Sequence, residues 1–146
     1  MLQSYTLFIS KTNFDGSASD FGSAYSGAHL NLYSKDGGGM SSRLGDTTNN
    51  PSSVTDSLGV FIISRKSSSS YKQYKDGSLK GTKTSTSIAF STTPLNIYDA
   101  AFSYYTSVIQ YSPRKRTFVW GGKGITDTEA LNISTHLTTF ESELNR

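Results

Sequence analysis

Along most of the chain apolar residues recur at every second position, the period of a half-buried strand. "LQSYTLFIS" (2–10) sets Tyr5, Leu7 and Ile9 on one face, and "AHLNLYS" (28–34) sets Ala28, Leu30 and Leu32 opposite His29, Asn31 and Tyr33. The Gly-, Ser-, Asp- and Asn-rich stretch 11–27 reads as loops, "KDGGG" (35–39) as a turn, "MSSRLGD" as a short strand and "TTNNPSSVTD" as a loop. "LGVFIISR" (58–65) is apolar without alternation and rich in β-branched residues, which predicts a central strand covered on both faces. "SYKQYKDGSLKGTKT" predicts a hairpin about Asp76-Gly77 with a type I′ turn, because both central residues need positive φ. Its register would pair Lys75 with Ser78, Tyr74 with Leu79 and Gln73 with Lys80. That places Tyr74 and Leu79 on the buried face and Gln73 and Lys75 on the wet one.

"TSIAF", "PLNIYD", "SYYTSVIQ" and "RTFVW" add strands at roughly ten-residue spacing, the rhythm of a sandwich or jelly roll. The period changes once. Thr126 and Glu129 form a capping box, and Ala130, Ile133, Leu137, Phe140 and Leu144 follow at helical spacing. The expectation is an all-β, two-sheet antiparallel jelly-roll sandwich with one C-terminal amphipathic helix at about 126–144, in a single domain over residues 1–146.

Composition supports that class. The chain has 146 residues, enough for a core without staples. Nine Tyr and eight Phe suit pleated surfaces. No cysteine is present, so disulfides and thiolate metal sites are excluded. A net charge of +3 is too mild for a nucleic-acid-binding signature. No apolar run is long enough to span a membrane. "MLQSYTLFIS" has no basic region and an interrupted apolar stretch, unlike a signal peptide. Release by lysis or particle assembly is the route expected for an extracellular role.

Five segments in order carry a family resemblance. "YKDGSLKGT", "PLNIYDA", "SPRKRTFVW", "GGKGITDTEA" and the final helix "LNISTHLTTFESEL" resemble concanavalin A-like lectin/glucanase (laminin-G-like) domains. The branch in question is found in phage structural and bacterial surface proteins. The matched positions include Tyr74, Lys75, Gly77, Ile97, Tyr98, Arg114, Phe118, Gly122, Gly124, Asp127 and Glu129. The likeness covers about residues 58–144; Asp99 and Trp120 depart from the family pattern. It implies a two-sheet jelly roll and a range of functions: glycan binding, adhesion, glucan hydrolysis and structural use on virions.

Hydrolysis needs two carboxylates across a cleft. The only glutamates, Glu129, Glu141 and Glu143, fall in the helix, the family's Glu-x-Asp-x-x-Glu strand is missing, and Asp15, Asp20, Asp46 and Asp56 are scattered through loops. His29 and His136 have no Gly-x-Ser-x-Gly partner and no metal-ligand spacing. His29 is expected to be solvated or bonded across its sheet. "GGKG" lacks the spacing of a phosphate loop, and Asp36 alone does not make a calcium site. No catalytic residue, cofactor or metal is expected.

Aromatic rings remain, and these stack on sugars and anchor interfaces. Tyr71, Tyr104, Tyr105, Tyr111 and Trp120 are the candidate ligand-binding residues, with core packing the competing role for Trp120. Lys72, Lys75, Lys80 and Lys83 read as edge-strand lysines that prevent sheet-to-sheet pairing. The reading is a non-enzymatic binding or adhesion module, displayed on a phage virion as a capsid-decorating or tail/fibre component, or at an extracellular surface. Its partners would be virion or other structural proteins and cell-surface glycan, without nucleic acid or membrane insertion, and homo-oligomerisation is open. A purely structural assembly protein and a degenerate glucan-active enzyme are the rivals.

Overall fold

The computed structural model describes residues 5–10, 19–25, 28–89, 98–99, 101–104, 107–109, 111–113 and 115–144. It is a two-sheet β-sandwich with one C-terminal helix packed on the outside of one sheet. The strands are β1 (Tyr5–Ser10), β2 (Phe21–Tyr25), β3 (Ala28–Asp36), β4 (Gly39–Asp46), β5 (Asn50–Ser53), β6 (Gly59–Ser64), β7 (Ser70–Lys75), β8 (Ser78–Thr84), β9 (Tyr98–Asp99), β10 (Phe102–Tyr104), β11 (Ser107–Ile109) and β12 (Arg116–Gly122). The helix α1 is Asp127–Glu143. The five-stranded sheet runs β12-β1-β6-β7-β8; the seven-stranded one runs β11-β10-β2-β3-β4-β5, with β9 paired to β2. All pairings are antiparallel except β2 with β10.

The strand β6 explains the three layers. It sits at the middle of its sheet, between β1 and β7. Phe61 and Ile63 point into the space between the sheets and pack with Leu32, Met40, Leu44, Val54 and Tyr71. Val60 and Ile62 point the other way and pack with Tyr74, Ile125 and Ala130 beneath α1. A strand buried on both faces must be apolar at every position, and "VFII" is.

The same logic corrects the hairpin. The turn is as expected, with φ of 50° at Asp76 and 75° at Gly77. Gly77 is needed twice over, because a Cβ there would also run into Leu131 of α1. Lys75 pairs with Ser78 and Tyr74 with Leu79, but a bulge then shifts Gln73 onto Gly81 rather than Lys80. Gln73 is not on a wet face. It is buried between the sheets and donates to Ser42 Oγ and to the Asn50 carbonyl, while Leu79 on the other face is exposed. Each face of β7 is covered, one by the second sheet and one by the helix.

Other differences are local. Residues 21–25, expected as loop, form β2, and Asn50–Ser53 forms β5. Pro51 is accommodated there because β5 is an edge strand with no neighbour beyond it. "TSIAF" is not a strand over its described residues; Ser85, Ser87 and Ile88 donate backbone N–H groups to Ser69, Ser68 and Gly45, tying the ends of the two sheets together. "SYYTSVIQ" divides into β10 and β11. Of "PLNIYD" only Tyr98 and Asp99 fall within the described residues.

Helix α1 keeps the expected start. Thr126 Oγ1 accepts from the Glu129 N–H at 3.2 Å, and the Glu129 carboxylate accepts from the Thr126 N–H at 2.7 Å. Its buried stripe is rotated from the expected one. Ala130, Ser134 and Glu141 are buried and Ile133 and Leu137 partly so, whereas Phe140 is 53% exposed and Leu144 also faces out. The stripe advances by 3, 4, 7 and 11 residues from Ala130, so position 141 takes the inward place that Phe140 was assigned.

Candidate functional site

Helix α1 packs over β6 and β8 of the five-stranded sheet, and the outer face of the seven-stranded sheet carries a polar row of its own. Alternation fixes which residues occupy it. Leu32, Ser42 and Leu44 face inward, so Asn31, Tyr33, Ser41 and Arg43 face outward, with Asn31 opposite Arg43 and Tyr33 opposite Ser41 in register. Gly22 and Ala24 of β2 stand beside Asn31 and His29. A Cβ at Gly22 would lie 2.6 Å from the Leu30 carbonyl oxygen and 2.8 Å from Asn31 Cβ, so the glycine is what lets the two strands close around Asn31.

This outward row is polar, partly buried and under-bonded. Asn31 is 0% exposed, yet neither its amide nitrogen nor its amide oxygen makes a well-formed hydrogen bond, although the amide acts on the Tyr33 hydroxyl. Arg43 Nη1 donates to His29 Nδ1 at 3.3 Å, while Arg43 Nε has no partner. Since a guanidinium has no acceptor, His29 Nδ1 must accept, which requires the imidazole without a proton there. Burial and then the Arg43 charge depress the His29 pKa, against the opposing pull of Asp46. Burial raises the Tyr33 hydroxyl, and Arg43 works against it. Unpaired buried polar atoms cost about 1–3 kcal/mol each, so three in one row call for an explanation.

Asp20 links this row to an exposed ring. Its Oδ2 accepts from the Ser34 N–H at 2.6 Å and its Oδ1 from the Ser112 hydroxyl at 2.7 Å. The Asp20 charge also acts on Tyr33. The segment carrying Tyr111, 71% exposed, is therefore held against the end of β3 where Tyr33 lies. A flat ring at the rim of a row of amide and guanidinium groups is suited to a polyhydroxylated or carboxylated ligand.

Of the five sequence-derived site residues, the three whose side chains are described, Tyr71, Tyr111 and Trp120, lie in different places. Tyr71 is buried between the sheets, its hydroxyl donates to the Ser42 carbonyl at 2.7 Å, and its ring lies under the Arg65 guanidinium. Tyr111 is exposed on the segment that Ser112 ties to Asp20. Trp120 is 53% exposed on β12, in register with Leu7 and Ile62 and thus on the helix side of the other sheet. Tyr104 is in register with Ala24, its side chain outside the described residues, as is all of Tyr105. Sequence reading places His29, Asn31 and Tyr33 on one polar face and leaves His29 solvated or bonded across its sheet; the structure shows the second. Sequence reading misses Arg43, which sits in a Ser-rich strand with no periodic signal of its own.

No family model matches the chain, and no curated protein matches it. Solved structures do. The chain is similar to the CBM40 module of the Ruminococcus gnavus IT-sialidase bound to α2,3-sialyllactose, with a TM-score of 0.68 at 16% identity over 92% of this chain and 83% of that one. It is equally similar to the same module in a second structure, with a TM-score of 0.66 at 16% identity over 91% of this chain and 83% of that one. The shared property is the sandwich fold.

Proposed function

We propose that the chain is a non-enzymatic glycan-binding module that holds an acidic sugar against the outer face of the seven-stranded sheet. The observation that carries this reading is the Arg43 guanidinium. Its Nη1 donates to His29 and its Nε makes no hydrogen bond, in register with the buried Asn31. A carboxylate takes two parallel N–H bonds from one edge of a guanidinium. The partly exposed Arg43 and the exposed Tyr111 ring are the groups a ligand can reach, with the buried Asn31 amide in register with Arg43. The fold likeness to a module whose structure contains sialyllactose supports the same direction.

The setting proposed from the resemblance to concanavalin A-like domains is a virion or extracellular surface, with display on a phage particle. Proteomics of purified particles tests it; a protein confined to the host cell and absent from particles overturns it. For the binding itself, a glycan array comparing 3′-sialyllactose with lactose should show preference for the acidic form. Arg43→Ala should remove at least tenfold of that preference while leaving thermal stability nearly unchanged. Equal binding of the two glycans by both proteins, or no binding at all, sinks the reading.

A second reading, assembly, is favoured by the exposed apolar side chains Trp120, Leu131 and Phe140 on the helix-bearing side. Light scattering separates them: a concentration-dependent oligomer dissolved by Phe140→Ser supports assembly.

A further inference from the structure

A separate cavity lies where β6 ends, β7 begins and α1 starts. Its volume is about 350 Å³, and its walls are Ser64, Lys66, Ser67, Ser70, Tyr71 and Lys72 on one side and Ile125–Thr128 on the other. We infer that this cavity binds a neutral saccharide through a vicinal diol held by the Lys72–Asp127 pair. The inference does not depend on the acidic-sugar reading of the other sheet.

The cavity is rigidly framed. The Ser64 hydroxyl donates to the Ile125 carbonyl at 2.9 Å and accepts from the Ile125 N–H at 2.8 Å, which locks the chain entering α1 onto β6. The Ser67 hydroxyl is hydrogen-bonded to the Ser69 and Ser70 hydroxyls and accepts from both their N–H groups, so the loop is fixed as well. At the mouth, Lys72 Nζ donates to Asp127 Oδ1 at 2.6 Å and to Oδ2 at 2.9 Å. The Tyr74 hydroxyl, rising from the core, donates to the same Oδ1 at 2.9 Å and orients the carboxylate.

Counting valences shows what is left over. Oδ1 has accepted two hydrogen bonds; Oδ2 has accepted one and keeps a lone pair. The two oxygens of one carboxylate lie too close together to take separate tetrahedral N–H bonds, so the ammonium shares one N–H between them and keeps donors to spare. An acceptor and a donor thus stand side by side on a preoriented pair, while both side chains remain partly open to solvent at 39% for Lys72 and 59% for Asp127. Neighbouring sugar hydroxyls match that arrangement, one donating to Oδ2 and the other accepting from Nζ. Thr128 also lines the wall.

Charge selects a neutral ligand. Lys72 is neutralised by Asp127, and the Lys66 charge acts on Glu129, whose carboxylate is engaged by Thr126. With Lys72 matched by Asp127 at the mouth, recognition there rests on the adjoining acceptor and donor and not on an unpaired cation. The volume is at the low end of small-molecule sites, which run roughly 300–1,000 Å³, and suits one or two sugar rings.

The test is a ¹H–¹⁵N NMR titration of the full chain with lactose. Amide signals of Ser70, Lys72 and 126–128 should shift with a dissociation constant on the order of 1–10 mM. Lys72→Met, and independently Thr128→Trp, which fills the mouth without touching the ion pair, should abolish those shifts. Arg43→Ala should preserve them, so failure of the acidic-sugar site and failure of this one are told apart. Sialyllactose should bind here within threefold of lactose. Absent shifts, shifts that persist in both variants, or a tenfold preference for the sialylated sugar at these amides would overturn the assignment.

Discussion

Replacing Arg65 by methionine probes the joint between the two sheets, because the guanidinium is 1% exposed and has no route to water. Its Nε donates to the Leu44 carbonyl at 2.7 Å, and Nη1 to the Ser85 carbonyl at 3.1 Å. Its Nη2 donates to Ser85 Oγ at 2.9 Å and lies 4.0 Å from Asp46 Oδ2. The guanidinium also stacks 5.0 Å over the Tyr71 ring. The buried Asp46 carboxylate makes no hydrogen bond, so Arg65 is the cation that compensates it. Arg65→Met keeps most of the side-chain volume, and the loss is therefore electrostatic. Removing one partner of a buried pair costs about 3–5 kcal/mol. With a urea slope of about 2 kcal/mol per molar for a chain of this size, the unfolding midpoint should fall by about 2 M. The double variant Arg65→Met/Asp46→Asn should recover more than about 1 kcal/mol of that, since the stranded charge is gone. A midpoint shift worth less than about 1 kcal/mol, or no recovery in the double variant, refutes the account.

Three further outcomes are expected. Gly59 has φ of 102°, and a Cβ there would collide with the Asp76 carboxylate that accepts from the Val60 N–H at 2.8 Å; Gly59→Ala should cost about 2 kcal/mol or more in urea unfolding, and a change within about 0.5 kcal/mol would show that the strand end yields freely. The hydrogen bond from Lys75, reinforced by Thr55 and the Leu58 N–H, holds the Asp56 carboxyl down at about 2. A depressed folded value means that this stabilisation is present above the usual carboxylate range near 3.8 and is lost as pH falls toward 2. The full depression amounts to about 2 kcal/mol, and solvent at this partly exposed pair reduces it to about 1. Asp56→Asn should flatten the acid limb of the stability profile accordingly; an unchanged limb refutes it. His29 should titrate below 6.5 by NMR, moving back toward 6.5 in Arg43→Ala; because its folded value is lowered, the neutral ring stabilises the fold above 6.5 and the contribution fades as pH drops. A midpoint at or above 6.5 removes the His29–Arg43 contact from the description.

What was legible in the sequence follows from how much each element depends on its own residues. The β6 strand, the Asp76-Gly77 turn and the Thr126/Glu129 capping box are local: a run of β-branched residues, a dipeptide that tolerates positive φ, and a reciprocal pair three residues apart. All three are present. What misled was partnership at a distance. Gln73 reads as a surface residue until Ser42 and Asn50 arrive from the second sheet to satisfy its amide. A glutamate on an inward position, such as Glu141, carries no periodic signal and shifts the apparent stripe by one residue. Tyr71 looks like a free ring but is spent on the core through its hydroxyl and the Arg65 stack. Strands β2 and β5 were hidden because Gly, Ser, Asn and Pro say turn unless a neighbouring strand supplies the hydrogen bonds.

The placement of α1 bears on where ligand chemistry can sit. A sandwich has two outer faces, and a helix laid on one of them makes that face apolar beneath it, as Val60, Ile62 and Tyr74 show. Polar groups that a ligand could satisfy must then lie on the other outer face or at the margin of the helix. The described residues show both: Asn31 and Arg43 on the seven-stranded sheet, and Lys72 with Asp127 where α1 begins. The two differ in charge. Arg43 has an unmatched N–H on a cation, whereas Lys72 is already balanced by a carboxylate, so one site should discriminate by ligand charge and the other should not. Salt makes the difference measurable. Raising ionic strength from 0.05 to 0.5 M shortens the screening length severalfold, and should weaken sialyllactose at the Arg43 face by several-fold while leaving lactose at the Lys72 cavity nearly unchanged.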